Sequence, residues 1–286
     1  MIGIIIRIIS NRYEVFSKER RYECVAMGKL RKGKSPVVGD VVDFEKLEDV
    51  YGIQRIHPRQ NELKRPLIAN VDQAIIVMSA KKPEFSTVLI DRLIFLIANA
   101  NITPILCVTK MDLLDKDDIV HKKIEDYRKS GYEVYVSGKD MDIAPLKKMV
   151  AHKTSVLTGQ SGVGKSSLLN RLDDTLQIKT QTISKALGRG RHTTRHSELF
   201  SLYEGWIADT PGFSSLDFSD VEGLRLAQVI PDFRIYNGMC KFNDCLHIDE
   251  PACAIRAKVE SGDIVKYRYL HYKEVMEYIK TLESKY

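Results

Sequence analysis

The sequence has no apolar run of about 18 residues, the length that a membrane-spanning helix needs. It has no internal repeat, and its 44% hydrophobic and 29% charged residues are those of an ordinary folded protein, so large-scale disorder is excluded. The apolar start is broken by Arg7 and lacks the basic flank and small-residue cleavage site of a signal peptide. We therefore expect a cytoplasmic protein with no membrane partner, whose first residues form a strand.

Cysteine is scarce, with five in 286 residues, and two of these, Cys24 and Cys107, stand alone. The other three share one short segment with a histidine: Cys240, Cys245, His247 and Cys253. In a cytosolic chain such a cluster favours a metal over disulfides. Its spacing, Cys-x4-Cys-x-His-x5-Cys, supplies three thiolates and one imidazole, which suit tetrahedral zinc. Four ligands leave no open position, so we predict one structural zinc ion per chain, with reduced buried cysteines as the alternative.

The net charge of +6 is mild, but it is unevenly distributed. Residues 1–68 contain 14 basic and 9 acidic residues, and residues 171–200 contain 6 and 3, whereas residues 214–286 contain 10 and 12. The positive excess therefore lies at the N-terminus and in one internal stretch. A basic face can bind nucleic acid by neutralising phosphates, although a solvated surface explains the charge equally well.

Short apolar strands and polar turns alternate through the first part of the chain. We predict strands over residues 3–10, 13–16, 22–27, 41–47 and 52–56, followed by a linker over residues 59–66. Five short strands at this spacing predict a small β-barrel.

From residue 71 onwards strands alternate with helices. The predicted strands cover residues 71–79, 103–109, 133–137 and 155–158; the predicted helices cover residues 87–100, 117–130 and 143–152, with a fourth ending at residue 172. This alternation indicates an α/β domain with a parallel sheet covered on both faces. Residues 199–203 and 206–209 predict a hairpin, and the remainder is predicted to be mainly helical, ending in a helix over residues 262–280.

A glycine-rich loop follows the strand at residues 155–158. Residues 159–166 match G-x-x-x-x-G-K-[ST], a pattern in which backbone N–H groups surround a β-phosphate. Lys165 would reach the β- and γ-phosphates, and the Ser166 hydroxyl would bind Mg²⁺. The helix that begins there adds its positive N-terminal end. The pattern predicts a nucleotide site, against the alternative of a glycine turn without a ligand.

Two further segments complete the predicted phosphate site. A D-x-x-G sequence ends an apolar strand, so that Asp209 could hold Mg²⁺ through water and the Gly212 N–H could meet a γ-phosphate. The basic stretch 188–195 contains Thr193 and Thr194, either of which could close over Mg²⁺ when a γ-phosphate is present. We assign Thr194 to the ion, and a basic surface loop is the alternative for this stretch.

The sequence T-K-M-D at the end of a predicted strand indicates which base is bound. Asp112 offers a carboxylate that can accept from the N1–H and N2–H of guanine, whereas adenine has no such pair of donors. Lys110 can stack along the base and brace the phosphate loop. Asn is the usual first residue, so Thr109 departs from the pattern. Ser137 and Gly138 resemble the short loop that backs the guanine base.

The order of these motifs is reversed relative to ordinary small GTPases, because the guanine motifs precede the phosphate motifs. The ends of a compact domain often lie close together, so joining them and cutting elsewhere can preserve a fold. We therefore predict a circularly permuted GTPase domain. In that arrangement the D-x-x-G segment directly precedes the C-terminal region and can pull on it.

Together these features resemble the circularly permuted GTPases of the RsgA (YjeQ) family. The resemblance covers nearly the whole chain, including Asn70 to Asp72, residues 190–194 and the cysteine spacing. It implies a multidomain protein with an OB-fold barrel over residues 1–66, a permuted α/β P-loop GTPase domain over residues 67–214 and a zinc-binding, mainly helical domain over residues 215–286. It also implies GTP hydrolysis to GDP and phosphate, stimulated by the small (30S) ribosomal subunit late in that subunit's maturation. The barrel and the zinc domain would contact rRNA, and a monomer is expected.

The sequence lacks the residue that usually orients the attacking water in GTP hydrolysis. Ras-like GTPases place a glutamine after D-x-x-G, but here that position is Phe213, which cannot hydrogen-bond to water. We therefore predict slow intrinsic hydrolysis that rises when a partner orders the site. His192, flanked by arginines, is the candidate for orienting the water, with contact to rRNA or solvent as the alternative.

The predicted nucleotide-binding residues are Thr109, Lys110, Asp112, Ser137, Gly138, Gly159, Gln160, Ser161, Gly162, Val163, Gly164, Lys165, Ser166, Ser167, Thr194, Asp209 and Gly212. Magnesium is assigned to Ser166, Thr194 and Asp209.

Two other functional classes stay open. One is an ATP-using P-loop enzyme such as a small-molecule kinase, and the guanine motif argues against it. The other is a nucleic-acid-binding module with a vestigial nucleotide site, and the intact Lys165, Ser166 and Asp209 argue against that.

Overall fold

The structure is a computed structural model that describes residues 1–28, 30, 35–64, 67–173, 198–209 and 216–283, with only the backbone of residue 209. The chain divides into two compact units. The first consists of Met1–Gln73, Ile143–Thr158 and Lys165–Phe213, and the second of Ala74–Asp142, Gly159–Gly164 and Ser214–Tyr286. The boundaries of the three predicted domains stay a prediction.

The N-terminal strands close into a barrel, as the sequence pattern predicts. Its strands are β1 (Ile2–Ile9), β2 (Arg12–Ser17), β3 (Arg20–Ala26), β4 (Val41–Lys46) and β5 (Tyr51–Ile56), in the order β1-β2-β3-β5-β4. Apolar side chains of alternate residues fill the inside, among them Ile5, Val15 and Phe44, because successive side chains of a strand point to opposite faces. The barrel is OB-like.

The predicted linker over residues 59–66 has regular structure in its described part, residues 59–64. It contains β6 (Glu62–Lys64), which pairs antiparallel with β7 (Leu67–Ala69). Arg59, whose side chain is 6% exposed, donates to both carboxylate oxygens of Asp40 at 2.7 and 2.8 Å. This bidentate pair fixes the segment against the barrel loop that ends at Asp40, which is why it is not a free linker.

The α/β part has three strands in each unit. In the second unit the order is β10-β9-β8, made of β8 (Gln73–Ser79), β9 (Thr103–Thr109) and β10 (Val134–Val136), with β10 parallel to β9. In the first unit the order is β11-β13-β12, made of β11 (Thr154–Thr158), β12 (Phe200–Leu202) and β13 (Gly205–Asp209). β13 runs parallel to β11 and antiparallel to β12, so the predicted hairpin is confirmed.

The described helices follow the predicted periodicity. They are α1 (Thr87–Asn99), α2 (Ile119–Lys129), α3 (Ala144–Val150), α4 (Lys165–Leu172), α5 (Gly223–Val229), α6 (Pro231–Arg234), α7 (Ala254–Glu260) and α8 (Lys266–Glu283). Ser86 caps α1 by accepting from the Leu89 N–H at 3.3 Å. α8 begins four residues later than predicted because Gly262, at φ 82°, ends α7. None of the described helices is long and apolar enough to cross a membrane.

A buried cluster of charges lies in the core of the second unit. Arg268 of α8 is 1% exposed, and it donates to Asp91 of α1 at 2.9 Å and to Asp232 of α6 at 2.7 Å. Tyr132 donates to Asp232 at 2.6 Å, and His271 lies 2.6 Å from Asp91. Burial alone lowers the pKa of Arg268, but the carboxylates around it raise that pKa well above its ordinary value, so the guanidinium stays charged.

Candidate nucleotide and metal sites

The end of β9 lies against the glycine-rich loop. Thr109, its last residue, is 6% exposed, and its hydroxyl donates to the Val163 carbonyl. Lys110 follows in the left-handed conformation, at φ 57°, and its Nζ donates to the carbonyl oxygens of Lys82 and, at 2.8 Å, of Gly162. The structure therefore brings the first two residues of the guanine motif into contact with the loop that follows β11.

Asp112 lies beside the loop that follows β10. Its Oδ1 accepts from the Lys139 N–H at 3.0 Å, and the Met111 N–H donates to the Ser137 carbonyl at 3.1 Å. A Cβ on Gly138 would approach Asp112 Oδ1 to 3.0 Å, so glycine leaves room for the carboxylate. Asp112 is exposed, and an ionised carboxylate has about four acceptor sites, so it keeps capacity for a ligand.

The glycine-rich loop has a backbone that favours glycine. Gly159 has φ 142°, and a Cβ there would lie 2.2 Å from the Val77 carbonyl oxygen, which is a direct overlap. Gly162 and Gly164 have φ values of 81° and 99°, in the region that other residues rarely adopt. Backbone of this type forms the anion-binding concavities of phosphate loops. The residues present therefore fit a nucleotide phosphate.

The helix after the loop carries the predicted phosphate and magnesium residues. Lys165 is the first residue of α4, and Ser166 and Ser167 are exposed in its first turn. That turn has no acidic residue to repel an anion from the positive end of the helix. The residues Gln160 and Ser161 of the loop are also exposed. This placement agrees with the assigned roles, which stay predictions.

β13 ends at Asp209, the first residue of the D-x-x-G motif. The backbone of Asp209 pairs with Leu157 of β11 in parallel register, so both strands end at the same edge. His192, Thr194 and Gly212 lie outside the described residues, as do Phe213 and the Asp209 side chain. Their assignments stay predictions.

The four predicted zinc ligands lie together in the second unit. The ligand atoms of Cys240, Cys245, His247 and Cys253 are all within 4.8 Å of one another. His247 Nδ1 is 3.6 Å from Cys240 Sγ and 3.5 Å from Cys253 Sγ. Zinc–sulfur and zinc–nitrogen bonds of about 2.3 and 2.0 Å in a tetrahedron need ligand separations of this size. The donor set fits one zinc ion.

The protein around the cluster affects the protonation of the ligands and holds their backbone. Burial lowers the pKa of His247, so the imidazole is neutral at pH 7, the form that binds metal. Burial raises the pKa of the Cys245 thiol to about 12, so zinc would have to displace its proton. Tyr269 donates to the His247 carbonyl at 2.8 Å, and the Ala254 N–H donates to Cys240 Sγ at 3.3 Å.

Sequence reasoning missed the residues that shape the loop between these ligands. Glu250 accepts from the N–H groups of Leu246 at 2.7 Å and Ile248 at 2.8 Å, and Tyr272 donates to the Leu246 carbonyl at 2.7 Å. No spacing rule distinguishes such a glutamate or tyrosine from its neighbours, because the contacts depend on how the loop turns.

Two family models match the chain, one over its N-terminal part and one over its GTPase part. Residues 56–219 match the family model of the RsgA GTPase, and residues 2–53 match that of the RsgA N-terminal domain. The chain belongs to the RsgA GTPase family. It is therefore a GTPase, as the phosphate loop and the guanine motif predict.

Relatives match over almost their entire length. The chain is 47% identical over 290 residues to small ribosomal subunit biogenesis GTPase RsgA 2 of Oceanobacillus iheyensis and 46% identical over 295 residues to RsgA of Bacillus subtilis, with 99% of each chain covered. The crystal structure of YloQ, described as a circularly permuted GTPase, matches with a TM-score of 0.83 at 40% identity, covering 98% of this chain and 95% of that one. The predicted circular permutation of this RsgA-family chain is confirmed.

Proposed function

We propose that the chain hydrolyses GTP in the late maturation of the small ribosomal subunit, and that the subunit stimulates this hydrolysis. The proposal rests on one observation above all, which is the full-length identity of 46–47% to relatives named for small ribosomal subunit biogenesis. We expect the protein to carry out this role in the cytoplasm. We expect it to act as a monomer.

The guanine nucleotide is proposed to bind along the edge formed by the T-K-M-D turn and the glycine-rich loop. Asp112 would accept from the guanine base, and Lys165 would balance charge on the β- and γ-phosphates. Magnesium, held by Ser166, Thr194 and Asp209, would supply electrostatic stabilisation of the transferred phosphoryl group. The contacts of Thr109 and Lys110 with the loop support this arrangement, since they join the base-reading and phosphate-binding segments.

Hydrolysis by the isolated chain is proposed to be slow. Phe213 stands where Ras-like enzymes carry the glutamine that orients the water, and a phenyl ring has no hydrogen-bonding group. His192 is our candidate for that role, acting as a neutral imidazole that accepts from the water. A subunit that positions His192 beside the attacking water would raise the rate.

Contact with rRNA is proposed for the barrel and the zinc segment. A shallow cavity of about 420 Å³ on the barrel is lined by residues that include Arg7, Arg12 and Arg21. Arginines grouped on one face suit the phosphates of RNA. Arg12 pairs with Glu23, and Arg21 pairs with Glu14. RNA phosphates would have to displace these carboxylates, but surface ion pairs of this kind contribute little to stability.

A single-turnover GTP assay with purified protein tests the proposal. We expect slow hydrolysis alone and a rate at least tenfold higher with small ribosomal subunits, because the partner orders the site. Large subunits and the variant Lys165→Ala serve as controls, and neither should give the stimulated rate. Equal rates with and without small subunits would refute the stimulated activity. Displacement of labelled GTP by ATP at equal concentration would favour the ATP-using alternative.

A further inference from the structure

The hydroxyl proton of Thr109 is taken up by a hydrogen bond within the protein. The hydroxyl donates to the Val163 carbonyl in a buried hydrogen bond, and the Met78 carbonyl, at 3.3 Å, is a second acceptor. A hydroxyl has a single proton, so it can serve only one acceptor at a time. Because the residue is 6% exposed, neither arrangement leaves a donor for an outside ligand.

The phosphate loop packs directly against this side chain. A Cβ on Gly164 would lie 3.4 Å from Thr109 Oγ1 and 3.7 Å from Thr109 Cβ, which is van der Waals contact. Removing the hydroxyl would leave the Val163 carbonyl without this donor, and an unpaired buried carbonyl is costly. The conformation of the loop therefore depends on the first residue of the guanine motif.

The chemistry of the base adds a second constraint. Guanine presents N7 as a hydrogen-bond acceptor, on the edge opposite the N1–H and N2–H that suit Asp112. Only a donor can read N7. An asparagine amide, the usual group at this position, carries two N–H donors and could serve the loop carbonyl and N7 together, whereas the threonine has one donor.

We propose that Thr109 is a positioning residue that joins the guanine motif to the phosphate loop through the Val163 carbonyl and donates no hydrogen bond to guanine N7. The proposal rests on the guanine site proposed at Asp112. Nucleotide affinity then depends on a hydroxyl that touches the loop and not the nucleotide, and base selection depends on Asp112.

Binding of 7-deaza-GDP, in which N7 is replaced by C–H, tests whether N7 receives a hydrogen bond from residue 109. We expect the full-length protein, measured without ribosomal subunits, to bind GDP and 7-deaza-GDP with affinities within twofold of each other. Thr109→Asn should bind GDP more tightly than 7-deaza-GDP by roughly threefold to tenfold, the effect of one hydrogen bond. Discrimination of threefold or more by the unmodified protein, or none by the asparagine variant, would overturn the proposal.

The tie to the loop is tested by Thr109→Val and Thr109→Ser. The valine variant keeps the shape and loses the donor, so we expect roughly threefold to tenfold weaker binding of both nucleotides. The serine variant keeps the hydroxyl and should stay within twofold of the unmodified protein. Thr103→Val, the same change at the exposed start of β9, is the matched control and should have no effect. Equal GDP affinity of the valine and serine variants would refute the positioning role.

These measurements separate failure of this inference from failure of the guanine assignment. If the protein does not prefer guanine nucleotides at all, the site at Asp112 is wrong. If it prefers guanine but discriminates against 7-deaza-GDP, only the role of Thr109 is wrong.

Discussion

Single residues in the T-K-M-D turn have separable tasks. Thr109 and Lys110 hold the glycine-rich loop through its carbonyl groups, while Asp112 remains exposed beside Gly138. The threonine that stands in place of asparagine at the first position therefore contacts the loop. At this scale the chemistry of one atom, such as the single proton of a hydroxyl, decides what a position can do.

Asp112→Asn should change which base is bound. The asparagine keeps an oxygen that can accept from the Lys139 N–H, so the turn should survive, but its amide opposes the donors of guanine and suits the carbonyl of xanthine. We expect weaker GTP binding and a preference for xanthosine triphosphate, measured by competition. Asp115→Asn, at a nearby exposed carboxylate, is the control and should leave the preference unchanged. An unchanged preference in the Asp112 variant would remove the guanine assignment.

At the element scale, the segment over residues 240–253 is a loop without a regular helix or strand. Its shape comes from Glu250, which accepts backbone N–H groups, and from tyrosines of α8 that bind its carbonyls. The four clustered ligand atoms supply the remaining constraint. A metal ion is an effective substitute for a hydrophobic core in such a segment.

Cys245→Ser should abolish the zinc site. Elemental analysis should find about one zinc per chain in the unmodified protein and almost none in the variant, because loss of one thiolate breaks the tetrahedral set. Limited proteolysis should then cleave within residues 240–253. Cys107→Ala, at a buried cysteine outside the cluster, should keep its zinc. A metal-free native protein with a protease-resistant C-terminal region would disprove a structural zinc.

At the scale of the whole molecule, side chains from distant parts of the chain meet in each unit. In the second unit Arg268 joins α8 to α1 and α6 through two buried carboxylates. In the first, the hairpin of β12 and β13 meets the barrel, where Phe16 and Trp206 pack edge to face at 5.0 Å and the Leu199 N–H donates to the Ile6 carbonyl at 2.9 Å. Contacts of this kind explain why neither unit is continuous in sequence.

Arg268→Met should destabilise the second unit by about 3 kcal/mol at neutral pH, because it leaves Asp91 and Asp232 buried without their cation. Burial already raises the pKa of Asp232, and loss of the guanidinium, whose charge lowers that pKa, should raise it further above its unfolded value. The stability that Asp232 contributes as a neutral acid is therefore present at low pH and lost as pH rises. The deficit should shrink as the pH falls from 7.5 to 5.5.

Urea unfolding followed by circular dichroism measures this effect. Arg128→Met, the same change at a half-exposed arginine of α2, is the control and should alter stability little at either pH. A fully stable Arg268 variant at neutral pH would contradict the prediction, because it would mean that the buried carboxylates do not need the arginine.

Local pattern was enough to predict most elements and the candidate sites. Alternating apolar residues predicted the five barrel strands, and the fixed spacing around Lys165 and among the cysteines predicted the phosphate loop and the metal cluster. The prediction of a linker was wrong for residues 59–64, because their structure depends on Arg59 reaching Asp40, nineteen positions earlier in the chain. A contact over that distance has no signature in a local pattern.

The sequence alone determined which chemical groups are available and in what order, because periodicity, glycine positions and ligand spacing are local properties of the chain. The permuted order of the GTPase motifs, the Cys3His set and the threonine in place of asparagine can all be read there. Only the tertiary structure decided what those groups contact, since partners such as Thr109 and Val163, or Arg268 and Asp91, are far apart in sequence. That is why the zinc ligands were predictable from spacing, whereas the task of Thr109 emerged only once β9 and the phosphate loop were packed together.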